Sequence, residues 1–175
     1  KLIDYNKFED IFFFKNKKIT EKKLLEKLKK HNKTKLTEIS FQREKLFKKL
    51  CKHVYKNKGL IIVIDYGYKF PIKNFTLQSI SNNKKTHIFD NLGIQDITSL
   101  VNFGELIDIA KQFNLEIASY CTQRDFLIAN GIIERSKKLK KNLTKQNKTM
   151  IEKQFHRLTG NHSMGKNFKF LIVSS

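Results

Sequence analysis

The sequence predicts an α/β fold, and three observations carry the prediction. Leu60-Ile61-Ile62-Val63-Ile64 is a run of five apolar residues, four of them β-branched, which describes a strand covered on both faces as in a parallel sheet. An amphipathic helical pattern leads directly into it, and helical and strand-like segments alternate after it as far as Val173. From residue 38 the order is helix, strand, long loop, helix, strand, helices, strand, which resembles the second half of a doubly wound sheet.

The elements follow in chain order. Phe8 and the run Ile11 to Phe14, with Lys15-Asn16-Lys17-Lys18 as a polar turn before Ile19, predict a short hairpin. Leu24, Leu25 and Leu28 recur at helical spacing after Thr20, a candidate N-cap, so residues 20–36 read as a surface helix or mobile loop. Ser40 stands before Phe41, Leu46, Phe47, Leu50, Cys51 and Val54, the apolar face of a helix that ends near Lys58-Gly59. Tyr68 to about Ile97, with Pro71, Asn82-Asn83 and Gly93, reads as a long irregular loop of the kind that forms a lid or binding loop. Residues 99–113 predict a helix, Leu115 to Tyr120 a strand and Arg124 to Leu139 another helix. Residues 137–149, rich in Lys and Asn, read as a solvated helix face or loop. Phe168 to Val173 is a terminal strand after a turn-like Gly160 to Gly165.

Composition narrows the function classes. A chain of 175 residues can hold one domain with a real core. The net charge of +20 suggests an anionic partner, yet of 36 basic residues only Arg43, Arg124, Arg135 and Arg157 are arginine, the residue that recognises phosphate and guanine in bidentate fashion. The abundance of Lys, Asn, Ile and Phe fits A/T-rich codons better than a nucleic-acid interface. Cys51 and Cys121 lie far apart with no CxxC, and the five histidines have no metal-ligand spacing. A reducing compartment is expected for a chain without a membrane-length apolar run or a signal peptide. A GxSxG elbow, a P-loop and a glycine-rich nucleotide turn are all missing from the sequence.

Candidate site residues come from position. Ligands of open α/β sheets gather outside the carboxyl ends of the strands, and Asp65, Tyr66 and Gly67 occupy that place after Ile64. A carboxylate there can orient a substrate nitrogen, Tyr can stack or donate a hydrogen bond, and Gly permits close backbone approach. Asp65 can equally start a turn. Asp96 and Thr98, taken alone, read as caps of the next helix, as Thr122 and Asp125 do for the one after.

A series of short segments in fixed order adds a resemblance. Gly59 to Tyr68, Thr76-Leu77-Gln78, Asp96-Ile97-Thr98 with Val101 and Phe103, and Thr122-Gln123 before Phe126-Leu127 are followed by Gly131-Ile132 with Glu134-Arg135. Arg157-Leu158, Met164-Gly165 and Phe168-Lys169 close the series. Over roughly residues 38–173 the chain resembles the MidA-type S-adenosylmethionine-dependent methyltransferases, which include the mitochondrial protein arginine methyltransferase that assists assembly of respiratory complex I. The resemblance implies a Rossmann-like class I methyltransferase sheet with Leu60 to Ile64 as its fifth strand and an antiparallel last strand. Residues 37–175 would be the C-terminal half of that domain, and residues 1–36 a hairpin and surface-helix insertion. The family's glycine-rich cofactor loop and ribose-binding acid precede this region and have no counterpart in it. S-adenosyl-L-methionine is the implied cofactor and a protein arginine, on a complex I subunit, the implied acceptor. The implied location is the bacterial cytoplasm or the mitochondrial matrix. On that reading Asp65, Tyr66 and Asp96 are the catalytic candidates and Gly67, Gln78 and Thr98 the substrate-binding ones, with Gln78 and Asp96 in the lid. The competing expectation is a non-catalytic basic module that binds RNA or an acidic protein.

Overall fold

Residues 2–30, 37–70 and 72–175 are described by a computed structural model of the chain. In chain order its elements are β1 (Leu2–Asn6), β2 (Ile11–Lys15), α1 (Lys22–Lys30), α2 (Phe41–Asn57), β3 (Leu60–Tyr68), β4 (Gln78–Ser81), β5 (Lys84–Thr86) and β6 (Asp96–Thr98). They continue with β7 (Val101–Asn102), α3 (Phe103–Gln112), β8 (Glu116–Thr122), α4 (Gln123–Ala129), α5 (Ile132–Lys140), α6 (Lys145–Thr159), α7 (Met164–Asn167) and β9 (Phe168–Ser174). The described residues up to Ile39 group with those from 72 to Leu100 in one unit, and Ser40–Phe70 with Val101–Ser175 in another.

In the first unit β1 and β2 form the expected hairpin, but its turn lies at residues 7–10 rather than at Lys15 to Lys18. Asn6 decides this: its side-chain carbonyl accepts from the backbone N–H of Phe8 at 3.0 Å and of Glu9 at 3.4 Å. Asp10 then takes the left-handed conformation at φ 53°, which a short polar residue tolerates. Helix α1 starts at Lys22, so Thr20 lies two positions before it; the end of the predicted 20–36 segment lies outside the described residues.

The stretch expected to be an irregular loop is a small antiparallel sheet of order β5-β4-β6. Asn82 and Asn83, at φ 49° and 61°, make the two-residue turn between β4 and β5, the left-handed pair whose twist suits a hairpin. Its strands are short and polar, so apolar periodicity could not reveal them. The buried Ser79 hydroxyl donates to the Thr86 carbonyl at 2.8 Å, and Gln95 donates to the Ile88 carbonyl at 2.8 Å.

The second unit holds a mixed sheet of order β7-β3-β9-β8, in which β9 runs antiparallel to both neighbours and β7 parallel to β3. Ser40 starts α2 by accepting from the Arg43 N–H, and the helix buries Phe47, Cys51 and Val54. Those side chains pack with Ile61, Leu106, Ala110, Leu171 and Val173 into one core. Helix α3 begins at Phe103, four residues later than expected, because Asn102 is the residue that caps it, accepting from the Glu105 N–H at 3.2 Å. The predicted helix over 124–139 is broken into α4 and α5 at Asn130-Gly131, where Gly131 adopts φ 82°. Much of the Lys/Asn-rich section is helical, one of the two forms expected, with Thr144 capping α6. No described helix is long and apolar enough to cross a membrane.

Strand β3 corrects the opening expectation. It runs through Asp65 to Tyr68, pairs mostly antiparallel, and is buried on one face only: Ile61 is buried, while Leu60, Ile62 and Ile64 are 57%, 51% and 50% exposed. β-Branched composition reports a strand but not the direction of its neighbour. Helices α2 and α3 cover one face; on the other, α4 covers β9, where Phe126 stacks on Phe170 at 4.1 Å.

Cys51 is wholly buried, and burial pushes its thiol up to about 11. The unfolded thiol ionises near 9 while the folded one stays protonated, so stability associated with Cys51 is complete below about 9 and is lost as pH climbs toward about 11. The stability advantage of the native chain over Cys51→Ala therefore narrows across that interval in urea titrations. A constant difference would show that Cys51 is not desolvated.

Candidate functional site

Strand β3 carries Asp65 beyond the last core side chains, and the sheet register sets what lies beside it. Asp65 faces Lys169 on β9, and Lys169 faces Thr122 on β8. The Thr122 hydroxyl donates to the Asp125 carboxylate at 2.6 Å and accepts from the Asp125 N–H at 3.2 Å, closing the first turn of α4. One end of the sheet thus gathers two carboxylates, an amine and a hydroxyl. Burial lowers the Lys169 ammonium below its usual range, the Asp125 carboxylate opposes that shift, and its Nζ donates to the Lys166 carbonyl. The Asp65 Oδ1 accepts from the Tyr66 N–H at 2.7 Å. The Tyr66 ring rests on Phe168 with centroids 3.9 Å apart and remains 43% exposed, a supported aromatic platform on the strand face opposite Asp65. Lys69 Nζ lies 5.4 Å from the Tyr120 ring centroid, and burial raises the Tyr120 phenol above its ordinary value.

Gly67 does allow a close approach, but to the chain's own backbone. A Cβ there would stand 2.3 Å from the Val101 carbonyl oxygen and 2.5 Å from the Phe103 ring. Asp96, Thr98 and Gln78 belong to the first unit, where Gln78 pairs with Thr98 and Asp96 with Ile80. Asp96 and Thr98 are therefore ladder residues rather than helix caps. Gln78 also lines a cleft of about 600 Å³ with Ile72, Phe75, Thr76, Lys85 and Leu100. Thr76 is fixed there by Glu38, whose carboxylate accepts from its N–H at 2.7 Å and from its hydroxyl, and by the Leu100 N–H at 3.1 Å. The predicted residues thus form two groups, Asp65-Tyr66-Gly67 on β3 and Gln78, Asp96 and Thr98 on β4 and β6.

Sequence reasoning missed Lys169 and Glu38. A single charge inside the apolar strand Phe168 to Val173 was the available signal for Lys169; nothing local marks Glu38. Other recurring segments turn out to hold helices together. Gln123 donates to the Leu158 carbonyl and Arg124 to the Thr159 carbonyl, each at 2.8 Å, and a Cβ on Gly165 would stand 2.5 Å from the Thr159 backbone.

The family described as "Putative S-adenosyl-L-methionine-dependent methyltransferase" matches residues 4–121, a span that includes β3 with Asp65 and the Gln78 and Asp96 strands. The chain belongs to this family. A Caenorhabditis elegans relative named "Protein arginine methyltransferase NDUFAF7 homolog, mitochondrial" is 30% identical over 113 residues, covering 63% of this chain and 26% of the relative. Two solved structures from Burkholderia thailandensis share the fold over 99% of this chain. One, an uncharacterized protein, has a TM-score of 0.84 at 18% identity and is covered to 48%. The other, solved with S-adenosyl-homocysteine bound, has a TM-score of 0.82 at 17% identity and is covered to 46%. The chain thus spans about half the length of these solved family structures and matches about a quarter of the worm relative. Its fold is the Rossmann-like α/β fold of these two structures, with the last strand antiparallel.

A nucleoside held against backbone requires a turn of glycines with open space before them. Gly67, Gly104, Gly160 and Gly165 face the backbone of Val101, Lys69, His156 and Thr159, while Gly59, Gly93 and Gly131 meet no backbone but stand more than 30 residues apart in the sequence. The described residues thus hold no glycine-rich turn that fits the cofactor.

Proposed function

We propose that the protein carrying this chain transfers a methyl group from S-adenosyl-L-methionine to a nitrogen of a protein substrate, with Asp65 and Tyr66 on the acceptor side. The observation that carries this reading is the exposed Asp65 carboxylate on a strand inside the family match, paired in register with Lys169. An arginine guanidinium offers paired donors to a carboxylate, which suits Asp65, while the Tyr66 ring offers an aromatic face on the other side of the strand. Holding it there orients the attacking nitrogen and counters its charge. Gln78, Thr98 and Asp96, with the cleft beside Gln78, are proposed as further substrate contacts. Arginine as acceptor is supported by the name of the worm relative. A complex I subunit as substrate, and a mitochondrial matrix or bacterial cytoplasmic location, rest on the family resemblance.

In the full-length protein Asp65→Asn is expected to lower kcat for labelled-methyl incorporation into protein arginine by about a hundredfold, the scale of losing one group that stabilises developing charge. The melting temperature and calorimetric binding of S-adenosylmethionine should not change, because Asp65 is exposed and outside the core. Unchanged methyl incorporation would remove Asp65 from the reaction. A full-length protein that ignores S-adenosylmethionine but binds RNA with a steep salt dependence would replace this reading with the basic-module one.

A further inference from the structure

We infer that the cleft beside Gln78 takes an acidic side chain of the protein substrate, so that the enzyme prefers arginines with Asp or Glu nearby in the same polypeptide. The inference rests on the reading of the protein as a protein methyltransferase and names a feature of its substrate. The cleft, of about 600 Å³, lies wholly in the first unit. Its charged lining residues are Lys73 and Lys85, and none of the described residues lining it is acidic. Neither ammonium has an ion pair or hydrogen bond among the described residues. Lys85 faces Ile80 across the β4-β5 ladder, which puts it diagonally beside Gln78 on one face of the sheet, at the ~7–8 Å of such pairs. A carboxylate in the cleft therefore meets two ammonium groups and an amide donor, the charge-assisted contacts that hold it most strongly.

The chain's own carboxylates leave these groups open. Both Glu38 oxygens are taken by Thr76, one by its N–H and the other by its hydroxyl. Asp96 shares the sheet face, across Ile80 from Lys85, but does not line the cleft. The acceptor arginine itself fits poorly here, because it would meet two like charges; Asp65 offers it the opposite one. A phosphate backbone also fits less well. The cleft holds neither an arginine, whose fork matches phosphate, nor a glycine that would open backbone N–H groups to an anion. The half-exposed Phe75 ring gives it an apolar wall that suits the stem of a peptide side chain.

The test uses the full-length protein and peptides that hold one arginine in a glycine-serine background. A pair of glutamates is placed at successive distances from the arginine, and each peptide is matched with its glutamine version. At the favoured spacing the glutamate form should bind about fivefold to tenfold more tightly in calorimetry, and its KM should fall by the same factor with kcat unchanged. The advantage should shrink as salt is raised, because both amines are exposed. Lys73→Met combined with Lys85→Met should erase it while leaving the melting temperature and the binding of glutamine peptides as they were. Lys73→Glu with Lys85→Glu should turn the preference toward peptides carrying lysine at the same spacing, which a loss of packing alone would not do. The inference is overturned if glutamate and glutamine forms bind equally at every spacing, or if the preference survives the double methionine substitution. A uridine oligonucleotide that displaces the glutamate peptide through the same two lysines at lower concentration overturns it too. A glutamate preference in binding, lost with both lysines, but without methyl transfer to any arginine peptide supports the cleft's assignment and sinks the acceptor reading, so the two fail separately.

Discussion

Phe103→Ala is expected to lower the unfolding free energy by about 3–5 kcal/mol, the range for removing a large aromatic side chain from a core. The ring is completely buried at the first position of α3, lies 5.7 Å from the Tyr120 ring, and reaches back to Gly67 on β3. One side chain thus joins α3, β8 and the C-terminal end of β3, and little around it can collapse into the space. Against a typical total stability of about 5–15 kcal/mol, that loss leaves the second unit marginal. Phe8→Ala provides the contrast: Phe8 is fully exposed in the hairpin turn, so its truncation should move the urea midpoint hardly at all. A loss below about 1.5 kcal/mol for Phe103→Ala would mean that the ring does not pack as described.

The same side chains show what the sequence could reveal. Apolar periodicity identified α2, β3, α3, β8 and β9, because each buries a stripe against the same core. It failed for β4, β5 and β6, whose stability lies in polar contacts such as Ser79 to Thr86 and in the left-handed Asn82-Asn83 turn. It overstated β3, since five apolar residues read as burial on both faces while helices cover one. The place of Asp65 and Tyr66 just past the apolar run was legible because sequence position alone fixes it. Lys169 was not legible, because its place beside Asp65 depends on the register of a strand more than 100 residues away, which no local pattern encodes. Asp96 and Thr98 looked like caps because cap preference is a local rule; tertiary pairing with β4 won, and Asn102 took the cap.

Gly67→Ala separates a structural from a ligand-binding role at that position. Elsewhere a Gly to Ala change in a compatible conformation stabilises by about 0.4–1 kcal/mol, because it restricts the unfolded chain. At Gly67 the added methyl group would meet the Val101 oxygen at 2.3 Å and the Phe103 ring at 2.5 Å. The carbonyl belongs to the residue paired with Gly67 in the parallel ladder, and the ring is fully enclosed, so neither can yield without unpairing β7 or displacing α3. Overpacking should therefore dominate, with a net loss of about 1–3 kcal/mol. Phe103→Leu should recover part of that loss by shortening the ring contact while leaving the carbonyl clash, a coupling that a double-mutant cycle in urea measures directly. In the full-length protein the activity of Gly67→Ala should then fall only in proportion to the unfolded fraction. Undiminished stability with abolished methyl transfer would instead return Gly67 to the substrate-binding role that its position at the strand end suggested.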